Sequence, residues 1–165
     1  MALYFEAMKL QRIYLDTSVI GGCLDDEFAP WSNGLMKDFR LGNFKPILST
    51  TVAFEVLGAP EAVRQTYAEL LKLDHELLEI MPEATALAEL YQRRGILTPK
   101  FYGDGLHIAL ATIAEVDVLV SWNFKHIVHL DKIRLFNAVN IEQGYKPLQI
   151  YSPREVTNYG EEKAF

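Results

Sequence analysis

Five short apolar runs, at 13–15, 46–49, 77–80, 117–121 and 148–151, alternate with stretches that carry helical periodicity. Few folds accommodate that alternation. Ile13-Tyr14-Leu15 and Val118-Leu119-Val120 are continuous β-branched, aromatic and aliphatic runs, the pattern of strands buried on both faces. Between them, 29–41 sets Leu35, Met36 and Phe39 on one face, and 82–94 does the same with Ala84, Leu87, Ala88 and Tyr91. Further helices are expected at 52–57, 60–73, 104–114 and 131–142, with a last helical turn at 152–156. Pro30, Pro60 and Pro82 sit near helix starts, and Gly42-Asn43, Gly95 and Gly144 sit at helix ends. Gly21-Gly22 with Asp25-Asp26-Glu27 reads as loop, as does 98–103. Strands that alternate with helices predict an α/β protein: a mostly parallel sheet, helices on both faces, right-handed crossovers.

The chain has 165 residues, 50% of them hydrophobic, which suits one domain. Its expected bounds are 8–156, with 1–7 an extension and 157–165 a polar, frayed tail. No apolar run approaches the roughly 20 residues of a membrane helix. The start lacks the pattern of a secretory leader. A single cysteine, Cys23, excludes an internal disulfide and fits a reducing cytoplasm. The net charge of −6 argues against bulk electrostatic binding to nucleic acid, but it is compatible with an acidic site neutralised by a metal.

Asp16 ends the first apolar run and is followed by Thr17 and Ser18. In open parallel sheets, ligands bind beyond the carboxyl ends of the strands. Asn123 follows the strand at 117–121, so it lies at that same edge. Glu55 and Asp104 are expected at or near the starts of helices reached from it. Each has an ordinary reading too: Asp16 as a helix cap, Glu55 as a solvated helix residue, Asp104 as a helix-start residue, Asn123 as a turn residue. Together they form an oxygen-rich, acidic set. Converging carboxylates need a positive partner, and hard divalent cations prefer oxygen ligands. A metal held there would support in-line hydrolysis of a phosphodiester without a protein nucleophile. Zinc is not expected, since His126, His129 and the lone Cys23 do not make a ligand set. His107 reads as an interior histidine beside the carboxylates. No phosphate-cradling glycine motif is present. Lys125, His126, Lys132 and Arg134 cluster after the strand at 117–121; the ordinary reading is a solvated face, and the functional one is contact with substrate phosphate, through Lys125 and His126 first. Trp122, Phe124, Phe101 and Tyr102 could stack on bases, although core packing is the expected use of Phe124.

Four segments together resemble the PIN-domain family, in particular the VapC-like toxin ribonucleases of toxin–antitoxin pairs and their stand-alone relatives. They are Y-L-D-T-S-V-I at 14–20, S-T-T-V-A-F-E-V-L at 49–57, D-G-L-H-I-A-L-A at 104–111 and D-V-L-V-S-W-N-F-K-H-I at 117–127. The resemblance implies a three-layer α/β/α sandwich and a metal-dependent endoribonuclease. Asp16, Glu55 and Asp104 would hold Mg²⁺ or Mn²⁺, and Thr17 and Ser121 would support them by hydrogen bonds. Where many members carry a fourth acid, this chain has Asn123, which would coordinate through its carbonyl oxygen or orient water. The resemblance also implies a homodimer and an antitoxin partner. A PIN fold that binds RNA or protein and cleaves poorly is the alternative.

Overall fold

The computed structural model describes residues 9–159; the extension expected at 1–7 and the end of the expected tail, 160–165, lie outside them. The chain runs β1 (Arg12–Leu15), α1 (Thr17–Gly22), α2 (Ala29–Arg40), β2 (Lys45–Ser49), α3 (Thr50–Leu57), α4 (Glu61–Leu71), β3 (Glu76–Leu78), α5 (Pro82–Arg93). It continues through a 3-10 turn (Pro99–Phe101) into α6 (Tyr102–Ile113), β4 (Val118–Val120), α7 (Leu130–Glu142), β5 (Ile150–Tyr151) and α8 (Pro153–Val156). Among the described residues the strands form one five-stranded sheet in the order β3-β2-β1-β4-β5. Every pairing is parallel, as the alternation of strands and helices predicts.

The period of two along each strand splits the core between the faces of the sheet. Tyr14, Ile47 and Leu119 pack with Leu87, Tyr91, Ile108 and Phe136 from α5, α6 and α7. Ile13, Leu15, Leu48 and Val120 pack on the other face with Val19, Leu35, Phe39 and Val52 from α1, α2 and α3. Both faces are covered, giving an α/β/α sandwich. The apolar girth of α6 is explained by its place: Leu106, Ile108, Ala109, Leu110 and Ala111 are all buried.

The region expected as loop after β1 begins as helix α1. Asp16 caps it, its Oδ1 accepting from the Val19 amide at 3.3 Å. Gly22 is required there by close approach. A Cβ at Gly22 would lie 2.5 Å from Ser32 Oγ and 2.6 Å from Trp122 Nε1, whereas one at Gly21 meets nothing within 4 Å. The C-terminal segment is held as well, where the sequence suggests a frayed end. Asp38, buried in α2, accepts from Thr157 Oγ1 at 2.8 Å and from the Asn158 backbone amide at 3.0 Å.

Arg12 ties three elements together. Its Nε and Nη2 donate to Glu76 on β3 at 2.7 and 2.8 Å, a two-pronged ion pair. Its Nη1 donates to the carbonyls of Ala114 and Glu115, closing the C-terminal end of α6.

Two expectations follow. Gly21→Ala should raise stability by about 0.5–1 kcal/mol, because it lowers the entropy of the unfolded chain at no steric cost. Gly22→Ala should lower it by about 1–3 kcal/mol through overpacking against Trp122. Thermal unfolding of both variants reads the opposite signs at adjacent positions. The second concerns pH. The Arg12 guanidinium, hydrogen-bonded to Glu76, outweighs partial burial and holds its carboxyl below the ordinary 4.5. A depressed carboxyl pKa stabilises the fold above the unfolded value and loses that contribution as pH falls through the folded one. Glu76→Gln should therefore cost about 1 kcal/mol near neutrality, and the gap to wild type should narrow as pH falls below the ordinary carboxyl value and through the lowered one. Denaturant titrations across that range measure it.

Candidate functional site

The sheet register sets the site. Leu15 pairs with Val120, so the next residues, Asp16 and Ser121, emerge side by side at the carboxyl edge. The Ser121 hydroxyl donates to Asp16 Oδ2 at 2.6 Å, and the Ser18 hydroxyl donates to Oδ1 at 2.6 Å. Asp16 is only 4% exposed. Burial pushes its pKa above the ordinary carboxylate value, with the nearby His107 charge and these hydrogen bonds pulling partly back. Ser121 is thus placed against Asp16. The hydroxyl of Thr17, the other residue expected to support the site, is buried without a hydrogen-bond partner among the described residues. Ser18 holds Asp16 instead and also accepts from the Trp122 amide at 2.9 Å. The signal in the sequence was its spacing, two residues beyond the carboxylate.

Asp104 lies in the first turn of α6, as expected. Half-buried, it too has its pKa raised, by burial first and then by the charge of Asp16, against the opposing influence of His107, His126 and a hydrogen bond from Asn123. That bond, Asn123 Nδ2 to Asp104 Oδ2, measures 3.3 Å. The carbonyl oxygen of Asn123 is not free for a ligand, contrary to expectation. It accepts from the backbone amides of Lys125 and His126 at 3.2 and 2.9 Å. The reverse amide orientation would set its NH₂ against two N–H groups, so the partners fix the assignment.

Glu55 sits in the last turn of α3, not near its start. The helix begins earlier than expected because Ser49 Oγ caps it, accepting from the Val52 amide at 3.2 Å. Among the described residues, the hydrogen bond that Glu55 makes is to His107, from Nε2 to Oε1 at 2.6 Å. His107 is interior and beside the carboxylates, as the sequence suggests, and is 2% exposed. Its Nδ1 lies 2.6 Å from the hydroxyl of Tyr14, which lies 2.8 Å from Ser49 Oγ. Burial pulls the His107 pKa down, but the Glu55 hydrogen bond and the charges of Asp16, Glu55 and Asp104 outweigh it and hold it above 6.5. For Glu55, burial acts upward and the His107 bond and charge carry it below 4.5. Tyr14 gave no sign of this part in the sequence, where it reads as an ordinary strand residue.

The donor chemistry fits a hard cation. Asp16 and Asp104 carry raised pKa values, and among the described residues neither forms an ion pair with Lys or Arg. The orphaned Thr17 hydroxyl adds an unused oxygen. Yet among the described residues no three His, Cys, Asp or Glu side chains converge tightly enough to form a ready-made cage. Mg²⁺ is commonly held by one or two carboxylates, with water and substrate phosphate completing its shell.

Beside this centre, an open-sided cavity of about 280 Å³ is lined by Ser18, Gly22, Phe28, Trp122 and Asn123. Trp122 is buried, stacked on Phe28 at 4.2 Å, with its Nε1 donating to Ser32 Oγ at 2.8 Å. Phe124 is the exposed ring, at 48%, reversing the expectation that it packs in the core. Lys125 is exposed, and the His126 ring lies 3.8 Å from that of Phe101. Lys132 is drawn away, donating to the Ile96 carbonyl.

No family model matches the chain, and no curated protein does. Solved structures do share its architecture. One is VapBC2 from Rickettsia felis bound to a DNA fragment from their promoter, with a TM-score of 0.54 and 14% identity, covering 86% of this chain and 98% of that one. Another is FitAcB from Neisseria gonorrhoeae, with a TM-score of 0.54 and 16% identity, covering 87% of this chain and 99% of that one. At such identities the likeness is one of fold: the α/β/α sandwich is the architecture these structures share with the chain.

Proposed function

We propose that this protein is a Mg²⁺- or Mn²⁺-dependent endoribonuclease that acts as the toxin of a toxin–antitoxin pair. The observation that carries the reading is the pair Asp16 and Asp104. They are carboxyl groups with raised pKa values, unpaired by Lys or Arg among the described residues, at the carboxyl edge of a parallel sheet. Such a charge arrangement is costly and calls for a cation. The four-segment resemblance and the fold likeness to VapBC2 and FitAcB point the same way.

In this reading Asp16, Asp104 and Glu55 hold the metal, which would activate water and neutralise charge at the phosphodiester. The chain's own groups keep these oxygens in place. Ser18 and Ser121 orient Asp16, Asn123 orients Asp104, and His107 holds Glu55. Lys125 and His126, just beyond Asn123, contact the RNA backbone. The protein works in the cytoplasm as a homodimer, and an antitoxin protein silences it. Among the described residues no helix is long and apolar enough to cross a membrane.

One observation favours a second reading, a PIN-fold module that binds RNA or protein with little cleavage: no metal cage stands ready-made among the described residues, and Asn123 turns its oxygen to the backbone.

Mn²⁺ calorimetry and cleavage of single-stranded RNA separate the two. Asp16→Asn and Asp104→Asn should each lower Mn²⁺ affinity by about 10-fold or more and abolish cleavage, with the far-UV dichroism unchanged. Cleavage that persists in chelator, or in either folded variant, would overturn the nuclease reading.

A further inference from the structure

The chain Ser49–Tyr14–His107–Glu55 joins β2, β1, α6 and α3 through contacts of 2.8, 2.6 and 2.6 Å. Tyr14 is fully buried and His107 nearly so. A buried hydroxyl and a buried imidazole are costly in a core unless hydrogen-bonded. Phe and Leu would meet the packing needs of these positions without that cost, so the polar atoms must be explained by what they hold.

What they hold is Glu55. Its side chain is 42% exposed, on a helix of two turns. A glutamate so placed has wide rotamer freedom, and ordering it carries an entropic cost. Ser49 Oγ accepts from the Val52 amide and shares a second hydrogen bond with the Tyr14 hydroxyl. With His107 neutral, Tyr14 donates to Nδ1; with His107 charged, Nδ1 donates to the Tyr14 oxygen; in both states Nε2 donates to Glu55 Oε1. The contacts run without a break from the capped start of α3 to its last turn.

We propose that Tyr14 and His107 are positioning residues for Glu55, a buried strut anchored on Ser49 that presents the Glu55 carboxylate to the acidic centre in one orientation. The proposal rests on the acidic site's being a metal site. It adds that the affinity of that site is set from inside the core, by groups that touch neither metal nor substrate.

Mn²⁺ calorimetry on the full chain tests it with wild type, Tyr14→Phe, His107→Leu, the double variant and His107→Gln, each checked for folding by dichroism and thermal unfolding. Tyr14→Phe removes one oxygen and keeps the packing. It should weaken Mn²⁺ binding by about 10-fold. The double variant should bind no more weakly than His107→Leu alone, because Tyr14 acts only through His107. His107→Gln retains an amide donor for Glu55 and should recover part of the affinity lost in His107→Leu. A merely structural role would instead give additive losses and no rescue by Gln. Wild-type affinity in Tyr14→Phe, or additive losses in the double variant, would overturn the strut and leave the metal site standing. Absence of Mn²⁺ binding by the wild type would overturn both.

Discussion

The pairing of Leu15 with Val120 is the constraint on which the acidic edge depends. It sets Asp16 beside Ser121, and it lets a carboxylate be buried at the end of the central strand with hydroxyl donors in place of water. Burying such a group without donors costs several kcal/mol, on the order expected for a desolvated charge. Because side chains alternate with a period of two, a slip of one residue would carry Ser121 to the opposite face and orphan Asp16. Both faces of this sheet are packed, so the register is strongly specified. The rigid core fixes the site.

The same alternation explains why the second half of the site is wired to the first. Ile13 and Leu15 serve the face covered by α1 to α4, while Tyr14 serves the face covered by α5 to α7. Asp16 follows Tyr14 at the same phase. One strand thus supplies both a carboxylate and the hydroxyl that meets His107, and His107 lies where Asp16, Glu55 and Asp104 all influence its charge. Its position three residues beyond Asp104 puts both on one face of α6. Three carboxylates are therefore held by three kinds of donor: hydroxyls for Asp16, an amide for Asp104, an imidazole for Glu55.

Period and punctuation made the architecture legible. Apolar runs gave the strands, and proline and glycine bracketed most helices. The misses have physical causes. Helix α1 is hidden because Gly21-Gly22 resembles a loop; Gly22 serves close packing instead, since Ser32 and Trp122 lie where its Cβ would stand. The placement of Glu55 was off because a serine cap, Ser49, was available earlier than the first apolar residue suggested. Trp122 and Phe124 exchanged expectations, since neighbouring aromatics in a turn carry no periodic signal; the fixed partner for the indole N–H, Ser32, decided which one went in. Asp16, Glu55, Asp104 and Asn123 form one group in the sequence because each adjoins an expected strand end or helix start. Tyr14 carries no such signal, because its partners Ser49 and His107 lie far away in the sequence, whereas Ser18 carries only its spacing from Asp16.

Asn123 shows why an uncharged residue suits this edge. Its amide faces Asp104 while its oxygen closes the turn onto the amides of Lys125 and His126. A carboxylate in the same position would close the turn equally well, but its second oxygen would face Asp104 across about the same 3.3 Å. Two like charges at that distance repel by on the order of 5 kcal/mol at an effective dielectric constant of about 20. Such a site would be stable only with its cation in place, or with one carboxyl protonated. With asparagine, the turn and the orientation of Asp104 are kept without a cation. The charge that remains to attract one comes from Asp16, Asp104 and Glu55, and part of the Glu55 charge is already answered by His107. In the proposed reading, the arrangement suits one metal and not a permanently occupied pair.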